Sequence, residues 1–110
     1  MKLVIAFIQP FMAQQVIQAL HALPGVSGGS FTDVRGFGRG RDDVAEPEVL
    51  YGAAKRVRVE VAVRDEVAGE VVNAIRRAAH TGNRGDGKIL VSDLEGALRI
   101  STGEEGDVAI

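Results

Sequence analysis

Arg56-Val57-Arg58-Val59-Glu60-Val61-Ala62-Val63 alternates without a break. Val57, Val59, Val61 and Val63 fall on one side, with Arg56, Arg58 and Glu60 on the other. A strand with one buried face reads this way, because successive side chains point to opposite sides of a sheet. Just beyond it, Asp65 stands where a helix N-cap belongs, and Val67, Val71, Ile75 and Ala78 recur at helical spacing. Gly82 is expected to close that helix as its C′ residue. Lys88–Asp93 then reads as a further strand, Ala97–Ile100 as a short extended piece, and Ser101–Ile110 as an acidic, glycine-containing tail.

Upstream of the alternating stretch, Lys2–Ile8 is a continuous apolar run, the mark of a strand buried on both faces. Pro10 suits the first turn of a helix, where its missing N–H is not needed. Met12, Val16, Leu20 and Leu23 follow at helical spacing, Ala13 and Ile17 widen the stripe, and Pro24-Gly25 stops it. Ser30–Phe37 reads as a second strand carrying Phe31, Val34 and Phe37. From Gly38 to Ala54 periodicity is lost, Pro47 intervenes and charges of both signs mix. A loop this long in a compact domain is most often functional or mobile.

The order is β-α-β-β-α-β, two split βαβ units, which makes the chain an α+β protein of ferredoxin-like type. Right-handed crossovers place both helices on one face of a four-stranded antiparallel sheet. Leu3–Ile8 is nevertheless apolar on both sides, so the helix-free face also needs a cover. Another copy of the chain is the expected one. At 110 residues the chain suffices for one domain, residues 1–110, and oligomerisation would supplement its small core. A net charge of −2 argues against a general nucleic-acid binder, and zero cysteines exclude disulfides and thiolate metal sites. No stretch has the length of a signal-peptide core or a spanning helix, so a cytoplasmic protein is expected.

The chemistry concentrates in Thr81-Gly82-Asn83-Arg84-Gly85-Asp86-Gly87-Lys88. Glycines permit the positive φ angles of a tight loop and let a ligand approach the main chain. Successive bare N–H groups form an anion-holding concavity, to which Lys88 adds a point charge. Gly82-x-x-x-x-Gly87-Lys88 fulfils most of the P-loop pattern. However, Ile89 replaces the hydroxyl residue that would hold Mg²⁺, and the loop leads into a strand where a P-loop opens a helix. An ordinary glycine-rich turn after a helix explains the same residues, so both readings stay open from the loop alone.

Gly36-Phe37-Gly38-Arg39-Gly40 has its third glycine misplaced for a dinucleotide fingerprint and reads better as a strand end open to close approach. His21 and His80 are the only histidines and fit solvated or core-edge positions better than metal ligands. Ser30, Ser92 and Ser101 have no visible base partner, and Glu104-Glu105 and Asp42-Asp43 read as solvated charge. No catalytic residue and no metal site is therefore expected. The remaining phosphate-compatible groups are the glycine loop with Lys88, Arg39 and Arg99. In a lone ferredoxin-like fold they lie on different edges, and a subunit interface could bring them together.

Three stretches carry a resemblance: Val34-Arg35-Gly36-Phe37-Gly38-Arg39, Thr81-Gly82-x-x-Gly85-Asp86-Gly87-Lys88-Ile89, and Arg99-Ile100-x-Thr102-Gly103-Glu104-Glu105. In this order and spacing, and with the ending Asp107-Val108-Ala109-Ile110, the chain resembles the PII nitrogen-regulatory signal transducers over essentially its whole length. The resemblance implies a homotrimer that binds ATP or ADP between neighbouring subunits, with the part of Mg²⁺ left open. It implies control of an enzyme or membrane transporter through a flexible loop matched by roughly Gly40–Ala54. Carried over, Gly85, Asp86, Gly87 and Lys88 would form the phosphate site, reached by Arg39 and Arg99. Thr81 and Ser30 would lie near the adenine, and Gly38 would admit the backbone. Gly40, Arg41, Tyr51 and Arg56 would belong to the signalling loop and its base.

The chain also departs from the family pattern. Gln9 stands for a lysine, Ser101 for a second arginine, Gly40 for a glutamine and Arg56 for a lysine. Tyr51 does not coincide with the tyrosine that some members have modified. Nucleotide binding survives these changes better than 2-oxoglutarate sensing, which is expected to be weak or absent. Two alternatives stand beside nitrogen regulation. One is a divergent PII-like regulator of a transporter outside nitrogen metabolism, for a metal or bicarbonate. The other is a trimeric metal-tolerance-type protein of the same fold, for which this chain mostly lacks metal ligands.

Overall fold

The computed structural model describes residues 1–38 and 54–110. Strand β1 (Lys2–Ile8) leads through a 3₁₀ turn at Pro10–Met12 into helix α1 (Ala13–His21). Strands β2 (Ser30–Arg35) and β3 (Lys55–Val63), helix α2 (Asp65–Ala79) and strand β4 (Gly87–Asp93) follow, and a 3₁₀ turn at Gly106–Ala109 ends the chain. All pairings are antiparallel, in the order β2-β3-β1-β4. The expected ferredoxin-like α+β fold is therefore present, and each strand lies within two residues of its expected bounds.

The alternation in β3 sets the core. Val57, Val59, Val61 and Val63 are buried together with Val4, Ala6 and Ile8 of β1, Val16 and Leu20 of α1, and Ala68, Val71, Ile75 and Ala79 of α2. Register explains the sidedness, since directly opposed residues share a face of the sheet. Val4 opposes Val61 and Val91, while Ile5 opposes Glu60 and Leu90, and Phe7 opposes Arg58 and Lys88. The first set faces the helices. The second set, with Leu3 and Ala62, lies on the helix-free face, where Leu90 is 49% exposed. Arg58 pairs with Glu60 at 2.5 Å and stacks 6.0 Å above the Phe7 ring. Its Nε is buried without a hydrogen-bond partner.

Three local expectations need correction. Arg64, in extended conformation, is the N-cap of α2, and no side chain caps it. Asp65 is the first helical residue, and its carboxylate accepts a 2.7 Å bond from the Met1 amino group instead. The helix ends at Ala79 with His80 extended, so Gly82 does not serve as C′ residue; its φ of +85° serves the loop beyond. The 3₁₀ turn at Pro10–Met12 delays α1 by a turn, because Pro10 lies at N1 of that short element.

Candidate nucleotide site

The loop between α2 and β4 is held in shape from inside. Asp86 directs its carboxylate back at the loop's first residues, where Oδ2 accepts from the Thr81 amide at 2.8 Å and from the Gly82 amide at 3.2 Å. Oδ1 accepts from the Thr81 hydroxyl. The same hydroxyl oxygen accepts from the Asn83 amide at 3.1 Å. His80 Nδ1 lies 3.5 Å from Oδ2. These bonds, the Thr81 hydroxyl first, hold the Asp86 carboxyl below the usual carboxylate range against the opposing effect of burial. It is therefore ionised at neutral pH.

Gly82, Gly85 and Gly87 all have positive φ, at +85°, +86° and +109°. Such angles are the region that glycine alone enters without strain. Gly85 is also crowded by side chains from two other elements. A Cβ there would sit 3.2 Å from both Gln9 Nε2 and Arg56 Nη2. Gln9 Nε2 donates to the Gly85 carbonyl at 2.7 Å, and Arg56 Nη1 donates to the Lys55 carbonyl at 2.8 Å. The end of β1, the start of β3 and the glycine loop thus meet at one point. Sequence reading noted Gln9 only as a departure. Its partner lies 76 residues away, and nothing local signals the contact.

Lys88 stands one residue into β4, exposed on the helix-free face opposite Phe7. Behind the loop, a cleft of about 260 Å³ opens beneath the end of α2, lined among others by Ile75, Arg76, His80 and Gly87.

The other expected site residues lie elsewhere. Ser30 begins β2 and Gly38 follows it, on the sheet edge opposite to β4. With β3 and β1 between them, the two edges are about 14 Å apart at ordinary strand spacing. Arg99, in the stretch expected to be a short extended piece, lies in a small hairpin outside the sheet. There its amide donates to Glu104 O at 2.9 Å, the Gly103 amide donates to Arg99 O at 2.8 Å, and Leu98 bridges Glu105. Its guanidinium donates to the Val108 carbonyl at 3.3 Å. Arg39, Gly40, Arg41 and Tyr51, and most of the expected signalling loop, lie outside the described residues. Within one chain the structure brings together Thr81, Gly85, Asp86, Gly87, Lys88 and Arg56, and leaves Ser30 and Gly38 on the far edge.

Among the described residues, no group of three or more metal-ligating side chains occurs, and no helix is long and apolar enough to cross a membrane.

Residues 1–104 match the family model described as nitrogen regulatory protein P-II. The chain is 38% identical over 116 residues to nitrogen regulatory protein GlnK of Escherichia coli strain K12, with both chains fully covered. It is 43% identical, again over 116 residues and both full lengths, to nitrogen regulatory protein P-II of Rhizobium meliloti strain 1021. Among solved structures, Arabidopsis thaliana PII bound to citrate superposes with a TM-score of 0.82 at 33% identity, covering 99% of this chain and 91% of that one.

Proposed function

The chain belongs to the nitrogen regulatory protein P-II family, and on that premise we propose that it is a cytoplasmic signal transducer of nitrogen status. It acts by binding and not by catalysis. In this reading ATP or ADP binds at the glycine loop, and the occupied site sets the state of the loop around residues 40–54, which engages an enzyme or a transporter. The observation that carries the reading is the glycine loop itself. Three positive-φ glycines follow in close succession and an exposed lysine stands directly after them. Gly85, Gly87 and Lys88 would hold the phosphates, assisted by Arg39 and Arg99, and bound nucleotide supplies the signal. Calorimetric titration with ATP and ADP, with and without Mg²⁺, tests this reading. A nucleotide present at 100 times its Kd should also stabilise the fold by about 2.7 kcal/mol. Absence of both heat and melting shift would refute it.

The site needs a second subunit. Ser30 and Gly38 lie on the β2 edge and Lys88 on the β4 edge, so one chain cannot close a nucleotide between them. The helix-free face, with Leu3, Ile5, Phe7, Ala62 and Leu90, also retains apolar surface for a partner copy. We therefore expect a homotrimer. Light scattering coupled to size exclusion should give three times the 11.6 kDa chain mass, and a monomer at micromolar concentration would contradict the interfacial site.

2-Oxoglutarate should bind weakly or not at all. Gly40 has no side chain where the family resemblance places a glutamine amide, and a glycine at the loop base raises the entropy lost on ordering. Gln9 is neutral where a lysine is the pattern, and its amide is already engaged by Gly85. Arg56 leaves one cation nearby, so the site is impaired and not erased. Micromolar, ATP-dependent binding of 2-oxoglutarate would overturn this expectation.

A further inference from the structure

We propose that Asp86 and Thr81 are positioning residues, which set the anion-receiving shape of the glycine loop before any ligand arrives and make no contact with it themselves. The inference rests on the nucleotide reading for its consequence, but not for its geometry.

A carboxylate inside a loop meant for phosphate is an apparent contradiction, since two anions repel. Hydrogen bonding resolves it. An ionised carboxylate has about four lone-pair directions, and here three donors fill most of them, with an imidazole close by. The donors are the Thr81 amide, the Thr81 hydroxyl and the Gly82 amide, and His80 Nδ1 lies 3.5 Å from Oδ2. Oδ1 and Oδ2 are both engaged on the near side of the loop, and the side chain is only 22% exposed. Thr81 is equally committed, because its hydroxyl donates to Asp86 and accepts from the Asn83 amide. The pair ties residues 81–83 to residue 86. Gln9 fixes the Gly85 carbonyl from outside. Three of the loop's amides, those of Thr81, Gly82 and Asn83, are consumed by this internal ring. Gly85 inside this ring, and Gly87 and Lys88 where β4 leaves it, are thereby presented to an anion by a loop already ordered. Preordering lowers the entropy lost on binding, so it acts on affinity without a contact.

The test uses the full-length protein and four variants: Asp86→Ala, Asp86→Asn, Thr81→Val and Thr81→Ser. ATP affinity is measured with and without Mg²⁺, and amide hydrogen exchange of residues 81–88 is followed in ligand-free protein. Asp86→Ala should weaken ATP roughly tenfold or more with and without Mg²⁺, even though it deletes a negative charge, and should speed exchange in the loop. Asp86→Asn should fall between the parent and Asp86→Ala, because its amide oxygen can still accept from the Thr81 and Gly82 N–H groups while its NH₂ cannot accept from the Thr81 hydroxyl. Thr81→Val should do the same, and Thr81→Ser should restore most of the loss by keeping the hydroxyl.

Tighter ATP binding by Asp86→Ala would show the carboxylate to be a mere repulsive charge and overturn the proposal. A loss seen only with Mg²⁺, with loop exchange unchanged, would make Asp86 a direct partner of the metal-bound ligand and overturn it too. Should Asp86→Ala fail to fold, the two threonine variants decide alone, and equal behaviour of valine and serine would refute the ring. If the parent binds no nucleotide, the nucleotide reading fails, while unchanged loop exchange in the variants remains the separate result that sinks this one.

Discussion

Lys88→Ala is expected to weaken ATP by roughly ten- to a hundredfold while leaving the fold intact. The magnitude follows from the loss of one charge-assisted contact to phosphate, worth about 1.5–3 kcal/mol, and about 1.4 kcal/mol is a factor of ten. The fold should be indifferent because Lys88 is exposed at the first turn of an edge strand, where its backbone pairing with Phe7 survives truncation. Lys88→Arg is the informative companion. A planar fork has a different reach and donor geometry from a point charge, so it should recover part of the affinity and not all of it. The measurement is calorimetric Kd for the three proteins, with melting temperature as the control. If Lys88→Ala binds ATP as tightly as the parent, the phosphate site has been misplaced. If it binds weakly and also melts early, the loss is structural and the assignment is unsupported.

The fold was legible wherever sequence periodicity reflects burial. The valines of β3 face the core because alternate residues of a strand must, and Leu3–Ile8 is apolar on both sides because Val4, Ala6 and Ile8 enter the core while Leu3, Ile5 and Phe7 line the helix-free face. The helix boundaries were less legible. Asp65 has the composition of an N-cap but is drawn off by the Met1 amino group, a partner 64 residues away. Gly82 has the composition of a C′ residue, but the chain at His80 has already gone extended, and the glycine serves the loop. Local preference cannot anticipate such distant competition.

The site divides in the same way. Three glycines and a lysine predict a loop able to receive an anion, and their positive φ angles agree with that reading. What the pattern conceals is how the loop is held. Asp86 looks from sequence like one more ligand-facing group, yet its oxygens turn inward to Thr81 and Gly82. Gln9 looks like the loss of a cation, yet it has gained the Gly85 carbonyl. Ala97–Ile100 reads as a short extended piece, but the chain folds into a hairpin that turns at Gly103, whose φ of +74° allows its amide to reach back to Arg99. Each of these depends on contacts that only a closed backbone defines.

Gly87→Ala should be the most damaging single methyl in this loop. Its φ of +109° is a conformation that L-residues adopt only under strain of about 1–3 kcal/mol. A Cβ would in addition overlap the Phe7 carbonyl oxygen and lie 2.8 Å from its carbon. Relief would require β1 to move, but β1 is hydrogen-bonded on both sides, to β3 and to β4, and carries Val4, Ala6 and Ile8 in the core. Overpacking against an element that cannot yield adds about 1–3 kcal/mol, so the combined loss should exceed about 2 kcal/mol. For a domain near this size that corresponds to a fall in Tm of about 10 °C or more. Gly69→Ala is the control. Gly69 is exposed within α2, without positive φ, and a Cβ there meets nothing within 4 Å. In a helix interior alanine is favoured over glycine by about 0.5–1 kcal/mol, so this variant should melt slightly above the parent. Thermal unfolding of both variants checks the pair. A parent-like Tm for Gly87→Ala would mean that the loop and the start of β4 rearrange freely, and a loop that loose could not keep a fixed shape for a phosphate.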